Sequence, residues 1–212
     1  MDSLNMKPEE IESESFRIID EEAGEHSWND PEWQIVRRAI HTSADFEYAS
    51  SMIFSDGAVE KAVAALRSGA GIVTDTNMAL AGISKARLAP FGCAVTCHVA
   101  DSDVGALAKR EGVTRSIVAM RKSVADLHNR IFVIGNAPTA LFELLRLTAE
   151  GTIRPALIIG LPVGFVGAEE SKNALATAHH GIPFITNIGR KGGSNVAAAV
   201  VNALAILAAA EA

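Results

Sequence analysis

The chain has 212 residues, 49% of them apolar and 21% charged, with a formal charge of −6. That is enough apolar material for a packed core in one globular domain spanning 1–212, and the charge has the wrong sign for a protein that holds nucleic acid by neutralising phosphates. The two cysteines, Cys93 and Cys97, are spaced C-x-x-x-C with no second ligand pair, so no metal site is expected and they read as free thiols in a reducing cytoplasm.

Glu9, Glu10, Glu12 and Glu14 stand where a signal peptide would carry basic residues and then an apolar stretch, so none is expected. Pro8 can open a helix carrying Ile11, Phe16, Ile18 and Ile19, and Asp30-Pro31 opens a second that runs towards His41. Residues 8–50 therefore read as a helical N-terminal part. From Gly71 onward, within an alternating part at 51–212, short β-branched runs at 72–73, 95–99, 131–134, 156–159 and 184–185 are each followed by a helix-like stretch. This pattern predicts an α/β fold with an open, mainly parallel sheet of about five strands and helices on both faces. Ligands are expected in the loops beyond the C-terminal ends of the strands. The most apolar run, 196–210, is shorter than the roughly 20 residues of a spanning helix and is interrupted by Asn202, so a packed terminal helix is expected, with no membrane span.

The loops after the strands share a chemistry. They read Thr74-Asp75-Thr76-Asn77, Gly135-Asn136-Ala137-Pro138-Thr139, Gly160-Leu161-Pro162-Val163-Gly164-Phe165-Val166-Gly167 and Gly189-Arg190-Lys191-Gly192-Gly193-Ser194. Glycines, small hydroxyls and helix starts leave backbone N–H groups available at the positive end of a helix dipole, so several such loops together suggest a ligand with several anionic arms. The turn Arg190-Lys191-Gly192-Gly193-Ser194 is the strongest of them, because it adds two cations. The glycines at 160, 164 and 167 lack the spacing of a dinucleotide fingerprint, and no phosphate-binding loop of the G-x-x-x-x-G-K-[ST] kind occurs.

Of the six histidines, His26, His128, His179 and His180 lie in polar or helical surroundings that suit a solvated surface role, and His98 suits a satisfied core position. His41 follows the apolar positions Trp33, Val36 and Ile40, and has Arg37, Arg38 and Asp45 three or four residues away. The arginines would lower the pKa of its imidazole, while Asp45 and the helix C-terminus would raise it. From the residues alone, a catalytic and a structural His41 both stand.

Seven strings in order resemble the precorrin-8X methylmutase family of the aerobic and anaerobic routes to cobalamin. They are Ile11-Glu12-x-Glu14-Ser15-Phe16, Arg38-x-x-His41-Thr42-Ser43-Ala44-Asp45-Phe46, Thr74-Asp75-Thr76-Asn77-Met78, Thr114-Arg115-Ser116, Asn136-Ala137-Pro138-Thr139-Ala140-Leu141, Pro162-Val163-Gly164-Phe165-Val166 with Glu170-Ser171-Lys172, and Gly189-Arg190-x-Gly192-Gly193-Ser194. The resemblance implies an isomerase that moves a methyl group from carbon 11 to carbon 12 of ring C, giving hydrogenobyrinate or its cobalt counterpart, without an organic cofactor. It implies that His41 is the acid/base, and that Ser15, Arg38, Thr74, Arg115, Asn136, Gly164, Arg190, Lys191, Gly192, Gly193 and Ser194 contact a tetrapyrrole rimmed with carboxylates. It also implies a homodimer with pockets near the subunit interface. Two other readings fit a polyanion pocket less well. A non-catalytic corrinoid carrier lacks its D-x-H-x-x-G marker here, and a tetrapyrrole metal chelatase would need ligands from the scattered His98, His179 and His180.

Overall fold

Two capped helices open the fold in the computed structural model, which describes residues 7–178 and 181–210. Helix α1 (Pro8–Ala23) starts where the Lys7 N–H donates to the Glu10 carboxylate at 2.8 Å. Helix α2 (Asp30–Ser43) starts on a reciprocal cap: the Glu32 N–H donates to Asn29 Oδ1 at 2.9 Å, and the Asn29 N–H donates to Glu32 Oε2 at 3.4 Å. It ends at Ala44, which lies in the left-handed region at φ 53° and donates its N–H to the Ile40 carbonyl. Ala44 is the single non-glycine residue with positive φ among the described residues. It turns the chain sharply just past His41.

The rest alternates as the β-branched runs predict. After α3 (Tyr48–Ser51) come β1 (Met52–Phe54), α4 (Ala58–Arg67), β2 (Gly71–Thr74), α5 (Asn77–Gly82), α6 (Lys85–Leu88), a 3₁₀ turn (Ala89–Phe91) and β3 (Val95–Thr96). Then follow α7 (Ser102–Glu111), α8 (Arg115–Ser123), β4 (Asn129–Ile134), α9 (Pro138–Ala149), β5 (Leu157–Gly160), α10 (Ala168–Thr177), β6 (Phe184–Asn187) and α11 (Ser194–Ala210). The sheet runs β1-β6-β5-β4-β2-β3, parallel except for β1, which pairs antiparallel with β6. The five expected strands are all present. The sixth, β1, is a three-residue edge strand, Met52-Ile53-Phe54, with one β-branched residue, and its pairing depends on β6, which lies some 130 residues further along the chain.

Alternation along each strand divides the core into two layers. Ile72, Ile131, Val133, Leu157, Ile159 and Ile185 face α2, α4 and α11, whereas Val73, Phe132, Ile134, Ile158 and Phe184 face α8, α9 and α10. Each such buried side chain contributes on the order of 1.5–3 kcal/mol. Helix α11 packs against α2, α4, α5 and α6. Its interrupting residue, Asn202, accepts from the Ser84 N–H at 2.8 Å and donates to the Gly82 carbonyl at 3.0 Å, so the polar position ties α11 to the α5–α6 connection. Among the described residues, no helix is long and apolar enough to cross a membrane.

Strand order reverses between β2 and β4: the chain steps from β2 to β3 on one side, then returns to place β4 on the other. In open α/β sheets the crevice at such a reversal is where ligands bind, beyond the C-terminal ends of the strands.

Candidate active site

The loops at that reversal are stitched by one buried carboxylate. Asp75, 1% exposed, accepts backbone N–H groups from Gly135 at 2.9 Å, Asn136 at 2.9 Å and Ala137 at 2.7 Å. Burial pushes its carboxyl above the usual value, and the three N–H donors pull it back. The expectation that these N–H groups are open to a ligand is therefore corrected here, since Asp75 occupies them at the start of α9. Two other helix starts are closed likewise by a threonine hydroxyl, Thr76 on α5 and Thr114 on α8. At these three helix starts side chains of the protein itself already occupy backbone N–H groups.

Residues 190–194 form the hub of the site. Gly192 approaches the chain after β5 so closely that a Cβ there would lie 2.3 Å from the Leu161 carbonyl oxygen, and the Gly193 N–H donates to that oxygen at 2.9 Å. The Gly164 N–H donates to the Arg190 carbonyl at 3.2 Å. Ser194 Oγ lies 2.8 Å from Thr76 Oγ1, which brings in the loop after β2, and Gly135 packs directly beneath Ser194. Thr114 Oγ1 lies 3.0 Å from Thr139 Oγ1, so the start of α8, with Arg115, joins the same edge.

The end of α2 is strapped to the hub from its own side. Lys191 Nζ lies 2.6 Å from Asp45 Oδ2 and 2.7 Å from Glu47 Oε2. The Asn195 side-chain amide reaches the Thr42 carbonyl at 3.4 Å, and the Tyr48 hydroxyl approaches the Gly192 carbonyl at 3.5 Å. The Lys191 ammonium holds the Asp45 carboxyl below the usual carboxylate range. Asp45 is thus the partner of Lys191, not of His41, because the left-handed turn at Ala44 directs it towards the hub.

His41 is exposed and makes no side-chain hydrogen bond among the described residues. Its ring lies 5.1 Å from that of Phe16, tilted by 43°. The Arg37 and Arg38 guanidinium groups lie 4.4 Å and 5.0 Å from the same Phe16 ring and pair outward, with Asp20 at 2.9 Å and Glu12 at 3.0 Å. Ser15 and His41 share one cleft of about 290 Å³, walled by Ile19, Ile40, Ala44 and Phe46. A larger concavity of about 380 Å³, against Arg130, Ala156 and Pro183, lies at the opposite ends of the strands.

The remaining expected residues divide by exposure. Arg115 and Arg190 are exposed, and the Arg190 guanidinium lies 5.6 Å from the ring of Phe165, itself 85% exposed beside Val166 at 90%. Asn136 also exposes its side chain. Thr74 is fully buried and donates to the Thr76 and Thr96 carbonyls, which makes it a shaper of its loop. Ser15 donates to the Ile11 carbonyl at 2.8 Å within α1. His98 Nδ1 lies 3.0 Å from Asp101 Oδ2, half-buried and not in the core. No group of three potential metal ligands occurs among the described residues, and His179 and His180 lie outside them. Sequence reasoning passed over Asp75 and Lys172. The former had a visible signal, an acid directly after an apolar strand, whereas the latter had none beyond its place in a motif.

Residues 10–207 match the family model described as CbiC, precorrin-8X methylmutase. The chain is 49% identical over 205 residues to the cobalt-precorrin-8 methylmutase of Priestia megaterium, covering 97% of this chain and 90% of the relative. It is 45% identical over 203 residues to the cobalt-precorrin-8 methylmutase of Leptospira interrogans, covering 93% and 92%. Its fold matches the crystal structure of precorrin-8X methylmutase from Thermus thermophilus with a TM-score of 0.87 and 42% identity, over 95% of this chain and 98% of that one.

Proposed function

The chain belongs to the precorrin-8X methylmutase family, and we propose on that premise that His41 is the proton donor and acceptor of its methyl-shift reaction. The reaction is an intramolecular transfer: on ring C of precorrin-8X or cobalt-precorrin-8, the bond from the methyl group to carbon 11 breaks and a bond to carbon 12 forms, giving hydrogenobyrinate or cobyrinate. Atoms balance without a co-reactant. His41 lends a proton to a ring nitrogen, which eases the shift, and recovers it afterwards. One observation carries this role: the imidazole faces a cleft with both nitrogens free of hydrogen-bond partners among the described residues, whereas a structural histidine would be buried and bonded.

The rest of the site holds the macrocycle in a reactive shape. Arg38, Arg115, Arg190 and the hydroxyls of Ser15 and Ser194 are offered as contacts for its acetate and propionate arms, with Asn136 beside them. Thr74, Gly164, Lys191, Gly192 and Gly193 serve that set by shaping and bracing the loops. The exposed apolar pair Phe165 and Val166 suits the flat face of the ring. The cleft at His41, about 290 Å³, lies at the lower bound of roughly 300–1,000 Å³ for sites that enclose drug-sized ligands. A tetrapyrrole with its arms needs a further wall, and a second copy of the chain would supply it in a homodimer. The whole chain acts as one methylmutase unit, with α2 packed on α11, and we place it in the cytoplasm with the rest of its pathway.

Purified protein mixed with precorrin-8 in metal-free and in cobalt form should show the absorption change of corrin formation with at least one of them. No change with either form would overturn the isomerase reading.

A further inference from the structure

Lys172 has no role in the reading above, yet it is the one lysine of the described residues held in the core. It is 1% exposed on α10, and its Nζ donates to the Lys191 carbonyl at 2.6 Å and to Asn187 Oδ1 at 3.1 Å. Asn187 Nδ2 donates to the same Lys191 carbonyl at 3.0 Å. Burial pushes the ammonium down to about 8, opposed by the field of Glu169, which forms no ion pair with it among the described residues. A buried cation without a carboxylate costs folding free energy that an apolar side chain of the same length would not. Here the shorter of its two hydrogen bonds goes to the Lys191 carbonyl.

The position of that carbonyl decides what the cost achieves. It belongs to the residue between Arg190 and Gly192, whose own side chain runs the other way to Asp45 and Glu47. The neighbouring peptides are held by Gly164 and Leu161. Glycines at 189, 192 and 193 all have positive φ, so the turn has little conformational stiffness of its own. Its shape comes from these contacts, and the ammonium is the strongest donor among them.

We propose that Lys172 is a positioning residue: from beneath the 190–194 turn its ammonium grips the Lys191 carbonyl and thereby fixes the Arg190 guanidinium and the start of α11 in the arrangement that receives substrate carboxylates. The identity of the ligand rests on the methylmutase reading, but the grip on the turn does not.

The test pairs Lys172→Met, which keeps length and removes the donor, with Lys172→Gln, which keeps a donor. Hydrogen exchange of amides 188–194 in the ligand-free protein, absorbance titration with hydrogenobyrinate and steady-state turnover are read together. Lys172→Met should exchange faster at 188–194 than wild type while β4 and α9 stay unchanged, weaken hydrogenobyrinate about tenfold, and raise KM with kcat within about threefold. Lys172→Gln should recover part of each effect. Unchanged exchange and binding in both variants overturns the proposal, as does a fall in kcat with KM unchanged. If Lys172→Met does not fold, Lys172→Gln alone must still show faster exchange at 188–194. If wild type turns over neither form of the substrate, the methylmutase reading fails while exchange still decides the role of Lys172.

Discussion

Phe16 and His41 face each other across the junction of α1 and α2, with ring centroids 5.1 Å apart and a tilt of 43°. Among the described residues the imidazole has no hydrogen-bond partner to orient it, so this ring contact is what holds it over the cleft. The two guanidinium groups beside Phe16 hold that ring in turn. His41 is therefore positioned by packing, which leaves both nitrogens available.

His41→Ala should reduce turnover about 10²-fold or more, the usual range for removing a positioned acid/base, while hydrogenobyrinate binding stays within about threefold. Phe16→Leu keeps the acid/base but loosens it, and should lower kcat by roughly three- to tenfold. Stopped-flow absorbance and product titration on both variants check this. Equal loss of binding and turnover in His41→Ala would make the residue structural.

Asp75→Asn tests the stitch between the loops after β2 and β4. A carboxylate accepts at both oxygens, but an amide turns its NH₂ group towards N–H donors, so at least one of the three at 135–137 loses its partner in a buried site. The expected loss is about 2–3 kcal/mol, seen as a lower urea midpoint at unchanged slope. A loss below about 1 kcal/mol would mean that the loops are held without it.

Lys172 should also mark the pH dependence of stability. Its ammonium titrates near 8 in the folded protein against 10.5 in the unfolded chain. Between these values the unfolded state binds the additional proton. The penalty of charging the buried lysine is then fully present below about 8 and is relieved as pH rises towards about 10.5, on the order of 3 kcal/mol. Denaturant unfolding at several pH values should show wild type gaining on Lys172→Met across that window, and a constant difference would contradict it.

The sequence by itself determined the five parallel strands, the helices at either end and the family. Short β-branched runs specified the five parallel strands, Asp30-Pro31 marked the start of α2, and the apolar run at 196–210 became the helix on which α2 packs. These signals are local: each depends on residues within a few positions, where backbone preference and solvent exposure act directly. The seven motifs likewise named the residues that gather at one edge of the sheet. What those residues do to one another was decided only in three dimensions. Ser194 meets Thr76 across 118 positions, and Asn195 meets Thr42 across 153. Asp45 turned from His41 to Lys191, the N–H groups at 135–137 were taken by Asp75, and Lys172 came to rest under the turn that it holds. The cause is the strand order. Hydrogen-bond partners follow from which strand ends are neighbours, and the reversal between β2 and β4, with β1 closing the far edge, is a property of the packed sheet that no local pattern encodes.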